Sequence, residues 1–387
     1  MEDGKTSDYA DLRGLLRKTK TFKIPGKIMD AMETVESLNW LKKNNLYELS
    51  EKLSFRVKKL FGPCLGIKDE KILVIGDIGS ENRNVAAVMS GTYYLAAQQL
   101  NLDAKLVFQN VKSRGSIADE DVVRSLSELK ENNVIILNMS DKLGNIKELG
   151  KSFRRWVKKK NHRFVSAMSL GDLETSKIEQ ITDAMDINYK PFQASHERLK
   201  KIFDDTDEIH VTTEAGTDLH YNIKGIKGIV ADGNYTMPGS GGNLPAGEVY
   251  ASPNGKRIEG KIVIDGSSRV QNGTILIRDP ITLKVEEGNI TEITGGKEAK
   301  ELENTLDWAA SIAKHPGSVR RICEFGIGLN PKAKIIGATI VDDKVLGTAH
   351  VGIGSNYWFG GNIFAIIHLD QVFKNPKVYF DGKLFDI

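Results

Sequence analysis

An apolar run at residues 72–75 constrains the fold more than any other feature of the chain. This Ile-Leu-Val-Ile segment is typical of a buried strand, and it is followed by a turn at 76–80, a helical pattern over 85–100 and a second strand pattern at 105–109. Two strands joined through a helix form a β-α-β unit, and such units build parallel sheets that are covered by helices. The sequence therefore predicts an α/β layer with a largely parallel sheet.

Changes in sequence pattern divide the chain into three parts. Residues 1–62 are rich in Lys, Leu and Glu and have apolar residues at helical spacing between 46 and 60, which predicts a helical N-terminal segment. Residues 63–204 form the predicted α/β domain. After residue 204 the pattern changes to short alternating strands broken by Gly and Asn, so residues 205–387 are predicted to form a β-rich (α+β) domain.

The composition excludes several classes of protein. With 54 basic and 51 acidic residues the formal net charge is +3, which is too balanced to indicate a nucleic-acid or membrane-surface protein. Only two cysteines occur, Cys64 and Cys323, which argues against a disulfide framework and against a thiolate metal cluster. No stretch is apolar enough to span a membrane. We expect a cytoplasmic protein without nucleic-acid or membrane partners.

Two glutamates stand out in the last third of the chain because their neighbours are apolar or glycine-rich. Glu248 lies between a Gly-Pro loop and an extended apolar stretch, and Glu324 interrupts an apolar run. A buried lone carboxylate is costly unless it is paired or bound to metal. Taken alone, Glu248 could cap a loop and Glu324 could pair with Arg320 or Arg321. Together, the two glutamates indicate a shared cation.

Two histidines occupy similar positions in predicted strands. The segment G-T-A-H-V-G-I-G at 347–354 alternates strictly, so His350 shares a face with two glycines, and Tyr357 follows within reach. His368 and Asp370 are two residues apart on an apolar strand and therefore point to the same side. Two His and three carboxylates are a suitable ligand set for two borderline divalent ions such as Zn, Co or Mn, with one carboxylate bridging them.

These segments resemble the aminopeptidase T family of metallopeptidases. The resemblance extends over about residues 70–387 and is most specific in N-L-P-A-G-E-V-Y, the later Glu, G-T-A-H-V-G-I-G and H-L-D. It implies an α/β N-terminal domain, a β-rich metal-bearing C-terminal domain and a homodimer that encloses its active sites. An acidic residue that some members carry shortly before the first His is matched only by Asp342 and Asp343, out of line. The resemblance also implies a set of residues that bind two divalent ions: Glu248, Glu324, His350, His368 and Asp370.

The activity implied by the resemblance is that of a metalloaminopeptidase, a hydrolase that removes the N-terminal residue from peptides with a free N-terminus. A water bridging the two metals would attack the peptide bond. Either Glu248 or Glu324 would receive the proton of this water, while the other residue bridges the ions. Tyr357 would donate a hydrogen bond to the oxyanion.

Two other functions are compatible with the same residues. Ring-cleaving dioxygenases that act on dihydroxypyridines are similar to this chain around the His and His-x-Asp segments, and in them His350, His368 and Asp370 would hold Fe(II). The presence of Glu248 and Glu324 favours the two-metal hydrolase, because a single iron leaves both without an evident role. The third alternative is a non-catalytic protein that has inherited the metal site.

Overall fold

The computed structural model describes residues 26–150, 152–253 and 257–385. It confirms the predicted fold class, because a helix-covered parallel sheet is combined with antiparallel sheets. The α-helices of the described residues are α1 (Gly26–Lys43), α2 (Tyr47–Lys58), α3 (Val85–Gln99), α4 (Glu120–Glu128), α5 (Phe153–Lys159), α6 (Ile178–Met185), α7 (Tyr189–Asp205), α8 (Lys297–Ile312) and α9 (Thr339–Asp342). Helices α1 and α2 lie in the predicted helical segment, and the part of that prediction on residues 1–25 lies outside the described residues.

The strands belong to three sheets. Sheet 1 contains β1 (Ile72–Asp77), β2 (Ala104–Gln109), β3 (Val134–Asn138), β4 (Arg163–Ala167) and β8 (Gly241–Asn243). Sheet 2 contains β5 (Glu208–Thr212), β6 (Asp218–Asn222), β10 (Ile258–Ile264), β13 (Ile281–Glu286), β14 (Asn289–Thr294), β18 (Lys377–Phe380) and β19 (Lys383–Phe385). Sheet 3 contains β7 (Ile229–Ala231), β9 (Glu248–Ala251), β11 (Ser267–Val270), β12 (Gly273–Leu276), β15 (Ile322–Gly328), β16 (Thr348–Gly354) and β17 (His368–Lys374).

Sheet 1 is parallel throughout and has the strand order β2-β1-β3-β4-β8. All of β1 is buried, which explains its continuous apolar run. Ile72 and Val74 pack on one face with residues of α2, α3 and α6, while Leu73 and Ile75 pack on the other face with residues of α4 and α5. The predicted β-α-β unit is therefore the centre of a sheet with helices on both faces.

Sheets 2 and 3 enclose the second large core. Sheet 2 has the order β14-β13-β10-β6-β5-β18-β19, and sheet 3 has the order β12-β11-β17-β16-β15-β9-β7. Side chains from both sheets meet in one hydrophobic cluster, in which the rings of Tyr221 on β6 and Phe325 on β15 lie 4.9 Å apart. Strand β15 is thus anchored by its apolar side chains, which fixes the positions of the polar side chains that alternate with them.

Two segments from the C-terminal half join the N-terminal layer. Strand β8 pairs in parallel with β4, although it follows the domain boundary predicted near residue 205. Ile336 and Val341, from the connection between β15 and β16, pack in the same cluster as α2 and α3. The two layers therefore share a core, and the division at 204/205 stays a prediction. Among the described residues, no helix combines the length and apolar character needed to cross a membrane.

Candidate metal centre

The candidate metal centre lies on four neighbouring antiparallel strands of sheet 3, and three of them, β15, β16 and β17, form a local meander. The register pairs Glu324 on β15 with Gly352 on β16, and Gly352 with Asp370 on β17. Gly354 on β16 pairs with His368, so His368 and Asp370 lie along the same side of β17. The hydrogen-bond register of a local meander thus brings together residues that the sequence separates by up to 46 positions.

Two glycines leave the space that the ligand side chains occupy. A Cβ atom built on Gly326 would lie 2.2 Å from Cε1 of His350. A Cβ atom on Gly352 would lie 2.8 Å from Cβ of Glu324 and 3.0 Å from Cε1 of His368. These contacts are too short for carbon atoms. Gly326, and Gly352, which was predicted to share a face with His350, therefore leave room for the ligand side chains themselves.

The donor atoms form two overlapping groups that share Glu324. In the first group, His350 Nε2 lies 3.1 Å from Glu324 Oε1 and 3.4 Å from Glu248 Oε2. In the second group, His368 Nε2 lies 3.0 Å from Asp370 Oδ1 and 3.5 Å from Glu324 Oε2. Within each group the donor atoms all lie within 4.8 Å of one another. The structure thus brings together the five residues that were predicted as metal ligands.

His368 is oriented as a metal ligand. Its Nδ1 atom donates a hydrogen bond of 2.8 Å to the carbonyl oxygen of Ser355, which leaves the Nε2 lone pair directed at the carboxylates. The neighbouring Oδ1 atom of Asp370 is buried and has no well-aligned hydrogen bond within the described part of the chain. Two donors about 2.1 Å from one ion and at right angles to each other are about 3.0 Å apart, which is the separation of these two atoms. The donor set fits a divalent cation.

The electrostatics of the cluster favour a bound positive charge. Burial opposes protonation of His350, but Glu324 and Glu248 outweigh it and raise the pKa of His350 to about 9. Burial also opposes protonation of His368, yet Asp370 holds the pKa of His368 well above its usual value. Burial raises the pKa of Glu324. A divalent ion would replace the positive charge that the carboxylates otherwise draw onto the imidazoles.

Lys344 belongs to this cluster, although the sequence analysis missed it. Its Nζ atom lies 3.1 Å from Oε1 of Glu248 and 2.8 Å from Oδ1 of Asp343, and its side chain is 1% exposed. Burial disfavours the ammonium form, but Asp343 and Glu248 outweigh burial and raise the pKa of Lys344. The segment V-D-D-K has the composition of a surface turn, so no local pattern indicated a buried cation.

Aromatic side chains surround the exposed side of His368. The rings of Trp358 and Phe359 lie 5.0 Å and 5.7 Å from the imidazole, both with edge-to-face geometry. Tyr357, which was predicted to stand beside the metals, is 64% exposed and packs on Phe364 at 5.3 Å. We call Tyr357, Trp358, Phe359 and Phe364 the aromatic mouth. Trp358 and Phe359 thus place aromatic rings against an imidazole of the metal centre, and Tyr357 and Phe364 extend this group towards solvent.

Replacing Gly352 with alanine is expected to disturb the centre without unfolding the protein. The new methyl group must push Glu324 or His368 aside, and overpacking of this kind costs about 2 kcal/mol. We expect a lower metal content per chain after dialysis against a fixed Fe²⁺ concentration. Gly317→Ala is the matched control, because its Cβ would meet no atom within 4 Å. Equal metal content in both variants would contradict the role of Gly352.

Comparisons with known proteins identify the family. Residues 53–385 match the family model of NicX, 2,5-dihydroxypyridine 5,6-dioxygenase. A curated relative, 2,5-dihydroxypyridine 5,6-dioxygenase of Pseudomonas putida KT2440, is 28% identical over 184 residues, which are 45% of this chain and 51% of the relative. The match therefore spans about half the length of that relative.

Two solved structures share the fold. The structure of 2,5-dihydroxypyridine dioxygenase from Pseudomonas putida KT2440 has a TM-score of 0.66 at 19% identity and covers 87% of this chain and 95% of its own. Wild-type AmpT from Thermus thermophilus has a TM-score of 0.54 at 16% identity and covers 89% of this chain and 97% of its own. The resemblance to aminopeptidase T thus holds for the fold.

The predicted aminopeptidase activity is wrong. The family model and the curated relative both carry the name of a dioxygenase, so the hydrolase and peptidase assignments are overturned. The prediction failed because both classes share the fold, and because the two glutamates appeared to require a second metal. The family match covers most of the chain. The chain belongs to the NicX (2,5-dihydroxypyridine 5,6-dioxygenase) family.

Proposed function

We propose that this protein opens the ring of a dihydroxypyridine with molecular oxygen, using one ferrous ion per chain. The family match supports the reaction class. The observation that supports a single ion is the buried ammonium of Lys344 on Glu248. The substrate is part of the proposal, because the curated relative aligns over only about half its length.

Lys344 supports the single ion because it supplies the charge that a second metal would bring. Glu248, Glu324 and His350 form one of the two donor groups, and in this group Glu248 already has the ammonium as its partner. The ion pairs of Glu324 and Asp370 in the described residues are formed with the two histidines. The sequence alone left Glu248 without an evident role in a single-iron site. Its proposed role is to bind the ammonium group of Lys344.

The proposed iron ligands are His368 and Asp370 of one donor group and His350 of the other, which Glu324 joins. Two imidazoles and one carboxylate are typical of Fe(II) oxygenases, because they leave positions open on the ion. Iron supplies the redox chemistry that lets oxygen react with the aromatic ring. Glu324 lies between the two imidazoles, with one oxygen facing each of them. We assign Glu324 to accept the proton of a ring hydroxyl when the substrate binds.

The aromatic mouth is the proposed entrance for the substrate. Trp358 is 63% exposed and meets the His368 ring by its edge, and Phe359 packs on the half-buried ring of Tyr250 at 5.5 Å. A flat heteroaromatic ring can stack on such side chains while its hydroxyl groups point towards the carboxylates. The mouth therefore selects planar substrates and shields the centre from water.

Oxygen uptake tests the proposed reaction. The chelator-treated protein is loaded anaerobically with Fe²⁺ and mixed with 2,5-dihydroxypyridine in oxygenated buffer, and both oxygen and the ring absorbance are followed. We expect the two to disappear together in equal amounts. The zinc-loaded protein is the control and is expected to be inactive, because zinc has no redox chemistry. Ring loss without oxygen uptake, or equal activity with zinc, would refute the proposal.

A further inference from the structure

We propose that His210, Asp218 and His220 form a second metal site, which takes a borderline transition-metal ion such as Zn²⁺, Ni²⁺ or Cu²⁺. These residues lie on β5 and β6 of sheet 2, whereas the candidate metal centre lies on sheet 3. Their donor atoms all lie within 4.8 Å of one another. We call them the hairpin site.

The two imidazoles of the hairpin site are paired by the strand register. His210 on β5 lies directly opposite His220 on β6, and their rings are stacked with centroids 4.0 Å apart and planes 9° apart. The side chains of His210 and His220 are 33% and 49% exposed. An ion can therefore reach both rings from solvent without any opening of the fold.

Asp218 supplies the third donor. Its Oδ1 atom lies 2.8 Å from Nε2 of His210 and 3.8 Å from Nε2 of His220, so the same oxygen faces the same nitrogen of both rings. Asp218 and His220 are two residues apart on β6 and share a face. Two imidazoles and a carboxylate suit zinc, nickel and copper, with water filling the remaining positions.

Neighbouring side chains orient both rings. Nδ1 of His220 lies 2.9 Å from Oε1 of Glu208, and because a carboxylate only accepts, Nδ1 donates and Nε2 stays available for an ion. The ring of Tyr379 stacks on His210 at 5.6 Å and restricts its rotation. The hairpin site thus has the carboxylate–histidine arrangement that is common around bound metals.

A simple pair of surface salt bridges explains this geometry less well. Each imidazole has its own carboxylate, but two separate salt bridges give no reason for the same oxygen of Asp218 to face the same nitrogen of both rings. A divalent ion gives that reason, because it would bind both Nε2 atoms and this oxygen once the rings turn so that their in-plane lone pairs converge. The shared oxygen therefore favours a metal.

Zinc binding to the full-length chain tests the hairpin site. Chelator-treated protein is dialysed against buffered Zn²⁺, and zinc per chain is measured for the wild type, His220→Asn and the control His315→Asn, an exposed histidine outside the site. We expect His220→Asn to bind one zinc ion fewer than the wild type and than the control. Glu208→Gln is expected to keep the ion but to weaken its binding about 10-fold, because a neutral amide oxygen accepts the Nδ1 hydrogen bond less strongly than a carboxylate does.

A second measurement starts from the wild-type protein, so that the test does not depend only on variants that could fold poorly. Cu²⁺ added to the wild type is expected to show the electron paramagnetic resonance signature of two nitrogen ligands, and this signature is expected to decrease in His210→Asn. The variants of His210 and His220 are also expected to keep the ring-opening activity of the iron-loaded protein, since both residues lie on sheet 2. Equal zinc counts and equal copper spectra in all variants would overturn the hairpin site.

Discussion

Replacement of His368 by glutamine is expected to abolish iron binding and ring opening together while the fold persists. The Nε2 atom of His368 faces both Asp370 and Glu324, and the Nδ1 bond to Ser355 fixes the ring. Removing a residue that hydrogen-bonds to a metal ligand typically lowers metal affinity about 10–100-fold. Removing the ligand itself is therefore expected to lower the affinity for iron by more than about 100-fold. Iron per chain and circular dichroism are the measurements. An iron content equal to that of the wild type would contradict the assignment.

Variants of the other residues in the cluster distinguish the proposed iron ligands from Glu324, which is proposed to accept a proton. Asp370→Asn and His350→Gln are expected to lose iron as His368→Gln does, since all three are proposed ligands. Glu324→Gln is expected to keep iron and lose turnover, because the amide cannot accept a proton. His315→Gln, which changes an exposed histidine outside the centre, is the control for the general effect of removing an imidazole. If Glu324→Gln loses iron and His350→Gln keeps it, Glu324 takes the place of His350 as a ligand.

Replacement of Lys344 by methionine is expected to destabilise the protein and to allow a second metal ion to bind at Glu248. The ammonium lies between Glu248 and Asp343 in a buried position, and removing one partner of a buried ion pair costs about 3–5 kcal/mol. We expect the free energy of unfolding to fall by about this amount. Added Mn²⁺ is expected to restore part of it, because Glu248 then binds the metal ion in place of the ammonium.

Urea unfolding with and without Mn²⁺, together with the metal count per chain, measures this effect. Lys332→Met is the matched control, because Lys332 forms an exposed pair with Asp186 and its loss is expected to change little. Lys344→Arg keeps the charge and is expected to keep a single ion. A Lys344→Met protein with wild-type stability and one ion would show that Lys344 does not stand in for a metal. If Lys344→Met does not fold, a second ion in Lys344→Arg would refute the single-ion proposal.

Local patterns were sufficient to predict the centre of sheet 1. The segment predicted as strand, helix and strand corresponds to β1, α3 and β2, because apolar runs and helical spacing are properties of neighbouring residues. Strand β8 could not be predicted as part of this sheet. It has three residues, two of them glycine, and it is a strand only because β4 lies beside it. The sequence of such a short strand contains no pattern that predicts its pairing with a distant segment.

In the candidate site, too, some features could be predicted from neighbouring residues in the sequence, whereas others depend on contacts between distant segments. The two glutamates and the two histidines interrupt apolar strands, and that interruption is visible in the sequence and predicted their proximity. Glu324 faces the imidazoles, and Arg320, its possible partner in the sequence, pairs with Asp307 instead. Lys344 could not be found, because its burial depends on the connection between β15 and β16 folding back over β9. Without Lys344, the charge of Glu248 pointed to a second metal and to the wrong class of enzyme.

The meander of β15, β16 and β17 also bears on the order of folding. Adjacent antiparallel strands close with little loss of chain entropy, whereas the pairing of β4 with β8 joins segments more than 70 residues apart. We therefore expect the carboxylates of β15 and β17 to meet early. Lys344 is carried on the connection inside this meander and arrives with them. The positive charge of Lys344 thus accompanies the acids during folding, and the proposed iron can be loaded afterwards.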